Sequence, residues 1–519
     1  MGDEASIAGQ NALSTEQAGS EDGEAPLTKR ARQGQRAGRQ AIILVHGMGE
    51  QIPMDTIKGF ARTVWRGEIP LSTKIDDADE IWSKPDQKTG SLELRRLTTR
   101  KTAEGGNYPN GVRTDFYELY WADLTTGSTW EQFVSWVRYL LFRPFSKVPE
   151  TVRSAWYCLW FLSALAVGLA LVTILPASIW SKVAPDWVRP VVLMAVAALT
   201  ATIHTMATKS FGRVVRYTRA QPDNIAARAA VRERGLELLR ALHKDDKYDR
   251  VIIVAHSLGT ILAYDVISYF WAEREEARTF QTNSASFAAL QKLEMAAAAF
   301  DALIAKTQGS AAPVRLTLEQ CATIRASEEF ASFRHAQAEL RRTMRDPDKP
   351  SANWLISDFL TLGSPLTHAE FLLARDWPDL LSRQRQRELP TSPPFREELE
   401  PRTLGMAKKL GGFPIETPEA NSRLLSFPNS KDSALWSLHH GAPFAVVRWT
   451  NIHDRSRYVY QGDLISGPLG PTFGPAIDDI DLADIDGQSH SFTHTRYWQE
   501  EASPPRLKSL RDAMNILDK

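Results

Sequence analysis

The chain has 519 residues, and its 62 Lys and Arg residues balance its 62 Asp and Glu residues, so it carries no net charge at neutral pH. This balance argues against a protein that binds nucleic acid through a broad basic surface. The two cysteines, Cys158 and Cys321, form no C-x-x-C pair, which argues against a disulfide framework and against a thiolate zinc site. We expect neither a cofactor nor a metal ion.

The first 38 residues predict a disordered tail. Residues 1–38 are rich in Ala, Gly, Gln, Glu and Ser, contain almost no large apolar side chains, and end on basic residues. Such a segment buries too little apolar surface to offset the entropy that ordering would remove. It also lacks the apolar stretch of a secretory signal peptide.

Two strands are predicted in residues 39–150, which we interpret as the first part of the folded domain. AIILVHGMGE (41–50) is a buried apolar strand that runs into a glycine-containing loop, and TDFYELYWADL (114–124) is the second strand. Residues 130–147 mix aromatic and basic side chains, which fits either a helix in the membrane interface or an ordinary surface helix.

Two uncharged apolar segments within residues 151–210 predict a transmembrane helical hairpin. They are AWYCLWFLSALAVGLALVTIL (155–175) and PVVLMAVAALTATIHTMAT (190–208), and each is close to the roughly 20 residues that a helix needs to cross a bilayer. Tryptophans lie near their ends, as is typical of membrane interfaces. The alternative is a helical hairpin buried in a large soluble core, although the first segment lacks a polar stripe.

Basic residues predict the orientation of this hairpin. Cytoplasmic flanks of membrane helices carry an excess of Lys and Arg, and here both flanks are more basic than the connecting loop. We therefore expect the catalytic domain and both termini in the cytoplasm. The residues are Arg138, Arg143, Lys147 and Arg153 before the hairpin, Lys209, Arg213, Arg216 and Arg219 after it, and Lys182 and Arg189 in the loop.

Residues 211–519 predict the second and larger part of the domain. A helix is expected near 218–247, and residues 272–352 are helix-forming and polar, as an inserted cap or lid would be. Short strands that alternate with helices are typical of an α/β domain with a largely parallel sheet, in which ligands bind at the carboxyl ends of the strands. The further strands predicted here are 250–257, 358–366 and 443–454.

The strand at 250–257 ends in a serine. In RVIIVAHSLGTILAYDVI (250–267), an apolar strand turns through Ser257 into an apolar helix. This is how one large class of enzymes presents its nucleophile, usually in a Gly-x-Ser-x-Gly turn. Here Ala255 replaces the first glycine and adds a single methyl group. The alternative is a hydroxyl that merely sits in a tight turn.

Several blocks of the sequence resemble the α/β-hydrolase superfamily, in particular its bacterial lipase- and esterase-like branch. LVHGMGE, VAHSLGT and TLGSPL resemble its strand ends, and RWTNIHDRSRYVYQGDLISGPLG and FTHTRYW resemble its acid- and histidine-bearing segments. The resemblance implies a mostly parallel sheet flanked by helices, with a catalytic triad in the chain order serine, acid, histidine.

The resemblance assigns roles to individual residues. Ser257 is the nucleophile, and His494 in THTRYW is the base, with His490 in GQSHSF as the other histidine in this region. Asp463 in QGDLISGPL is the favoured acid, and Asp454 at the end of the last strand is the alternative.

Two backbone groups are expected to complete the site. The N–H groups of Leu258 and Met48 would bind the oxyanion that forms during acyl transfer. His46 and His256 lie in the same motifs, and we assign them packing roles. The acidic run at 477–487 lacks the spacing of a calcium loop and is interpreted as a surface turn.

Together these features predict a membrane-anchored serine hydrolase that cleaves lipid-like carboxylic esters through an acyl-enzyme. The expected partners are a lipid or acyl-ester substrate and the bilayer, and no nucleic acid. Two alternatives stay open: an acyltransferase or thioesterase with the same triad, and a catalytically silent hydrolase fold used as a membrane scaffold. The sequence leaves the acyl chain, the head group and the oligomeric state undetermined.

Overall fold

An eight-stranded sheet lies at the centre of the computed structural model of the protein. The structure describes residues 38–519 except 49–51, 67–80, 91–92, 103–104, 126–137, 139–140, 146–147, 149, 175, 177–178, 180–184, 186, 207–216, 218–221, 310–314, 347–351, 416–422, 430–431, 457–460, 488–492 and 500–502. The predicted tail, most of the segment at 130–147 and His490 therefore lie outside the described residues.

The part of the chain that the structure describes contains thirteen short strands. They are β1 (Gly38–Val45), β2 (Ile81–Pro85), β3 (Arg95–Lys101), β4 (Val112–Leu119), β5 (Arg250–His256), β6 (Thr279–Gln281), β7 (Ile356–Leu362), β8 (Glu397–Glu398), β9 (Arg423–Leu424), β10 (Ser426–Pro428), β11 (Leu435–Leu438), β12 (Arg448–His453) and β13 (Asp478–Asp481).

The main sheet has the strand order β13-β12-β7-β5-β1-β4-β3-β2. Pairing is parallel from β13 to β4, whereas β3 and β2 pair antiparallel at one edge. The five strands expected from the sequence, β1, β4, β5, β7 and β12, are consecutive neighbours in the middle of this sheet. The prediction of an α/β fold with a mostly parallel sheet flanked by helices is confirmed.

Alternation along β5 explains why its sequence is a continuous apolar run. Val251 and Ile253 pack into the core on one face of the sheet, and Ile252 and Val254 pack into the core on the other. Successive side chains of a strand point to opposite faces, so a strand that is covered on both faces needs apolar residues throughout.

Helices cover both faces. Phe60 and Leu510 belong to the helices over one face, and Leu238 and Leu262 belong to the helices over the other. The helices are α1 (Asp55–Arg66), α2 (Glu150–Ile174), α3 (Val188–Met206), α4 (Pro222–Lys244), α5 (Gly259–Glu273), α6 (Ala285–Gln308), α7 (Leu318–Arg325), α8 (Glu328–Thr343), α9 (Ala369–Leu372), α10 (Trp377–Arg385), α11 (Pro401–Leu410), α12 (Gly470–Phe473), α13 (Leu482–Asp486) and α14 (Pro504–Met514).

The two segments of the predicted hairpin are helical. Helix α2 has 25 residues and α3 has 19. Within the part of the chain that the structure describes, no helix combines the length and the apolar character required of a membrane span. That these helices cross a bilayer stays a prediction.

The predicted cap at 272–352 contains the three helices α6, α7 and α8, together with the short strand β6, which the sequence did not indicate. Strand β6 pairs antiparallel with β11 outside the main sheet. The side chain of Gln337 in α8 donates to the carbonyls of Phe444 at 2.7 Å and Val447 at 3.1 Å, just before β12. Helix α8 is thus tied to the sheet, and a lid function for this region stays a prediction.

Two helical glycines should respond in opposite ways to the same substitution. A Cβ at Gly259 would lie 2.4 Å from the carbonyl oxygen of His46, whereas a Cβ at Gly405 in α11 would meet no atom within 4 Å. We expect Gly259→Ala to lower the free energy of unfolding by about 1–3 kcal/mol through overpacking. Gly405→Ala should raise it by about 0.5–1 kcal/mol because alanine loses less backbone entropy. Urea unfolding measures both, and equal effects would contradict the close approach at Gly259.

Candidate active site

The turn after β5 holds Ser257 in a left-handed backbone conformation. Its φ of 53° lies in a region that residues other than glycine seldom occupy. The N–H of Ser257 donates to the carbonyl of Leu362 in β7 at 2.9 Å. Its carbonyl accepts the N–H of Thr260 at 3.0 Å and the hydroxyl of Thr260 at 2.7 Å. Strain that is held from two sides in this way is typical of functional positions.

Two glycines allow neighbouring backbone to pass close to this serine. A Cβ on Gly47 would lie 2.8 Å from the Cβ of Ser257, so the loop after β1 lies directly against the serine. Gly259 likewise allows the start of α5 to approach the carboxyl end of β1 closely. Larger residues at either position would push the turn and the loop apart.

Ala255, which replaces the usual first glycine, is compatible with the turn. It lies in β5, in register with Val45 of β1 and Thr361 of β7, and is fully buried in the core. The backbone of Ala255 is regular β-strand, whereas the backbone of Ser257 is left-handed. The extra methyl group therefore packs in the core and leaves the turn intact.

His494 connects Ser257 to Asp463. The Nε2 atom of His494 lies 2.9 Å from the Oγ of Ser257, and its Nδ1 atom lies 2.9 and 3.0 Å from the two carboxylate oxygens of Asp463. Because an ionised carboxylate only accepts, Nδ1 carries the proton and Nε2 is free to accept the serine hydroxyl. The structure thus brings together the three residues that the sequence suggested.

Asp463 is held as a carboxylate although it is buried. Its Oδ2 accepts the hydroxyl of Tyr497 at 2.8 Å, and its Oδ1 accepts the N–H of Ile465 at 2.9 Å. Burial alone would raise the pKa of Asp463, but the hydrogen bonds from His494 and Tyr497 outweigh burial and lower this pKa from 3.8 to about 2. Since the folded pKa is depressed, the stability that the carboxylate contributes is present above about pH 4 and is lost as the pH falls towards 2.

Asp454, the alternative acid, has other partners. Its Oδ2 accepts the hydroxyl of Thr493 at 2.6 Å and binds the guanidinium of Arg506 at 3.0 Å. The carbonyl of Asp454 accepts the N–H of Asp463 at 3.1 Å. Asp454 therefore fixes the residue next to His494 and the start of the loop that carries Asp463, while the imidazole of His494 is bound by Asp463.

The two motif histidines order the surroundings of the site. Burial, together with the nearby His494, lowers the pKa of His256 to about 3, so its imidazole is neutral. Its Nε2–H donates to the backbone carbonyl of His494 at 2.6 Å. His46 stacks on Trp121, and its Nδ1 lies 2.8 Å from the carbonyl of Gly47. These contacts go beyond simple packing, because they position the base and the loop beside the serine.

The two expected oxyanion donors belong to the two backbone segments next to the serine. Leu258 immediately precedes α5, where the first N–H groups of a helix have no acceptor within the helix. Met48 follows Gly47 in the loop that lies against Ser257, and its side chain packs on the core. The next residues of that loop, 49–51, lie outside the described residues.

A cavity of about 850 Å³ adjoins the acid at the carboxyl edge of the sheet. It lies between the loop around Asp463 and residues 315–325, which belong to the predicted lid, and neither Ser257 nor His494 lines it. Its size is within the usual range for ligand pockets. Across the described ranges, the side chains of His, Cys, Asp and Glu form no group of three or more that is suited to a metal ion.

Sequence reasoning missed Tyr497, Thr493 and Arg506, the side chains that support the two aspartates. Tyr497 and Thr493 lie within FTHTRYW, three residues after and one residue before His494, so the local spacing was the available signal. Arg506 lies in α14, and only the tertiary fold brings it to Asp454.

The chain matches no family model, no curated protein and no solved structure. The candidate site therefore rests on the geometry of its own residues.

Substitution of each aspartate by asparagine distinguishes the roles of Asp463 and Asp454. We expect Asp463→Asn to slow the reaction of Ser257 with a fluorophosphonate by several orders of magnitude, as the corresponding change does in a serine protease, by about 10⁴. Asp454→Asn should retain most of this reactivity but lower the free energy of unfolding by about 3 kcal/mol, because buried Arg506 loses one of its partners. Labelling kinetics and urea unfolding of both variants check this, and the reverse ranking of labelling rates would move the acid to Asp454.

Proposed function

We propose that the protein is a serine hydrolase that cleaves carboxylic esters through an acyl-enzyme. One observation carries the proposal: the hydrogen-bonded chain from Ser257 through His494 to Asp463, with a strained serine at its end. This arrangement is the one that activates a serine hydroxyl as a nucleophile. The carboxyl edge of a parallel sheet is also where ligand sites of α/β domains lie.

The geometry suggests the course of the reaction. As the Oγ of Ser257 attacks the ester carbonyl carbon, its proton passes to the Nε2 of His494, and Asp463 stabilises the resulting imidazolium. The N–H groups of Leu258 and Met48 hold the oxyanion of the tetrahedral intermediate. The proton on Nε2 then passes to the leaving alkoxide, which departs as an alcohol. Water repeats the sequence on the acyl-enzyme and releases the acid and the free serine.

We favour hydrolysis over a silent scaffold because of the geometry of the site. A scaffold has no need for a serine, a histidine and a buried aspartate joined in one hydrogen-bonded chain. An acyltransferase or a thioesterase would use the same three residues and differ in the acceptor or the leaving group. Repeated turnover to the free carboxylic acid in water, without an added acyl acceptor, distinguishes hydrolysis from transfer.

We further propose that the hairpin of α2 and α3 inserts into a bilayer. Among the described residues, 13 of the 23 large apolar side chains that are exposed lie between residues 142 and 194. Phe161 is 67% exposed and Ile174 is 75% exposed. Exposed apolar surface on this scale marks a site of interaction with a partner or a membrane, and the uncharged length of both segments favours the membrane. The basic flanks then place the catalytic domain in the cytoplasm.

The base of the hairpin is fixed at the same edge of the sheet as Ser257. Arg143 is buried, and its guanidinium donates to the carbonyls of Phe371 at 2.8 Å and Glu370 at 3.0 Å. These residues follow β7, whose carboxyl end accepts the N–H of Ser257. Val148 and Phe371 form a small apolar cluster, against which Trp156 of α2 packs. The site would therefore face the bilayer, and we infer a lipid-like ester as the substrate.

The nucleophile is tested by Ser257→Ala. We expect this variant to lose fluorophosphonate labelling and ester hydrolysis while keeping its urea unfolding midpoint, because the hydroxyl contributes little packing. Ser268→Ala is a matched control, since that hydroxyl donates to the carbonyl of Tyr264 within α5, and it should label like the wild type. Labelling of Ser257→Ala at the wild-type level would remove Ser257 from the mechanism.

The membrane anchor is tested by replacing residues 154–208 with a short Gly/Ser linker. We expect hydrolysis of a soluble short-chain ester to stay close to the wild-type rate. Hydrolysis of a long-chain ester in vesicles should fall by roughly ten-fold or more, because tethering raises the effective concentration of substrate. Equal losses on both substrates would identify the hairpin as a folding element, and no loss on either would contradict a role in presenting substrate.

A further inference from the structure

Tyr497 is buried beside the triad, and its hydroxyl lies 2.8 Å from the Oδ2 of Asp463. We propose, on the basis of the function proposed above, that Tyr497 is a positioning residue that holds the carboxylate of Asp463 in the orientation in which it binds His494. Neither the resemblance nor the triad itself requires a hydroxyl at this position.

One short segment of backbone supplies two side-chain donors to the carboxylate. Residues Thr493–Thr495 form a 3₁₀ turn, and the N–H of Arg496 donates to the carbonyl of Thr493 at 2.8 Å. His494 lies in this turn, and Tyr497 lies two residues beyond its end. Both side chains therefore reach Asp463 from the same segment of backbone.

The hydrogen bonds around Tyr497 have a defined direction. Burial raises the pKa of Tyr497 well above its usual value, so the phenol keeps its proton and can donate it. The carboxylate accepts that proton, which means that the Oγ of Ser466, 3.1 Å from the phenol oxygen, donates to Tyr497. Ser466 also lies close to the carboxylate, since a hydrogen bond from its side chain contributes to the lowered pKa of Asp463.

The ring of Tyr497 is fixed as firmly as its hydroxyl. Gly363, directly after β7, has a φ of 60°, and a Cβ there would lie 2.8 Å from the ring of Tyr497 and 3.1 Å from the Oδ2 of Asp463. The ring centroid of His256 lies 6.0 Å from that of Tyr497. The close backbone at Gly363 therefore limits how far the ring can turn away from the carboxylate.

Tyr497→Phe tests this role, because it removes the hydroxyl and keeps the ring. We expect kcat to fall roughly ten-fold with KM unchanged, the scale expected when one hydrogen bond to a charged group is lost. We also expect the acidic limb of the pH–rate profile to move up by about half a pH unit, since a carboxylate with one donor fewer binds the imidazolium more strongly. The other titratable groups that face this pair are His256, His368 and Asp454, and all three are unchanged in the variant.

Tyr264→Phe is the matched control. Tyr264 is equally buried, but its hydroxyl donates to the carbonyl of Pro390 at 2.8 Å, away from the triad. This variant should keep the wild-type kcat and pH profile.

Three outcomes separate the possibilities. An unchanged pH profile and kcat in Tyr497→Phe, in a protein whose turnover depends on Ser257, would overturn the role of Tyr497 and leave the proposed function standing. Equal losses in Tyr497→Phe and Tyr264→Phe would also overturn it, because any buried hydroxyl would then suffice. Wild-type turnover that is independent of Ser257 would overturn both proposals.

Discussion

The left-handed backbone at Ser257 is the constraint on which the rest of the site depends. A serine tolerates this conformation only where its neighbours enforce it, and here they are the carbonyl of Leu362 and the first turn of α5. Because the turn is sharp, adjacent backbone must pass close by, which requires glycine at 47 and 259. The sheet brings the carboxyl ends of β1, β5 and β7 together at this point, and the segments after β12 and β13 add Asp463 and His494.

The central strands and the serine could be predicted because each leaves a local pattern in the sequence. Strand β5 is covered on both faces and is therefore apolar throughout, and a strand–serine–helix turn is recognisable by itself. Strands β2, β3 and β13 lie at or near the sheet edges and are mostly polar, so they contain no apolar run from which they could be predicted. The sequence favoured Asp463 and left Asp454 open as the alternative, since both aspartates follow the same strand and both act on the segment of His494. One binds the imidazole, and the other binds Thr493 beside it.

The proposed anchoring of the hairpin in a bilayer would orient the candidate site towards a membrane-bound substrate. A hairpin that leaves the domain beside the active-site edge limits how the domain can tilt, whereas an anchor at a flexible terminus would not. Arg143 is central to this arrangement because its buried guanidinium satisfies carbonyls of the segment after β7. Its role could not be seen in the sequence, where it counted only as one of several basic residues before the hairpin.

The most direct measurement of the central claim is the trapping of the covalent intermediate. The wild-type protein would be mixed rapidly with a 4-nitrophenyl ester, quenched in acid within the first turnover, and digested for tandem mass spectrometry. Our account predicts an added acyl group on the Oγ of Ser257 that forms with the burst of nitrophenol and decays at the turnover rate. Turnover without an adduct on Ser257, or with a kinetically competent adduct on another residue, would contradict it.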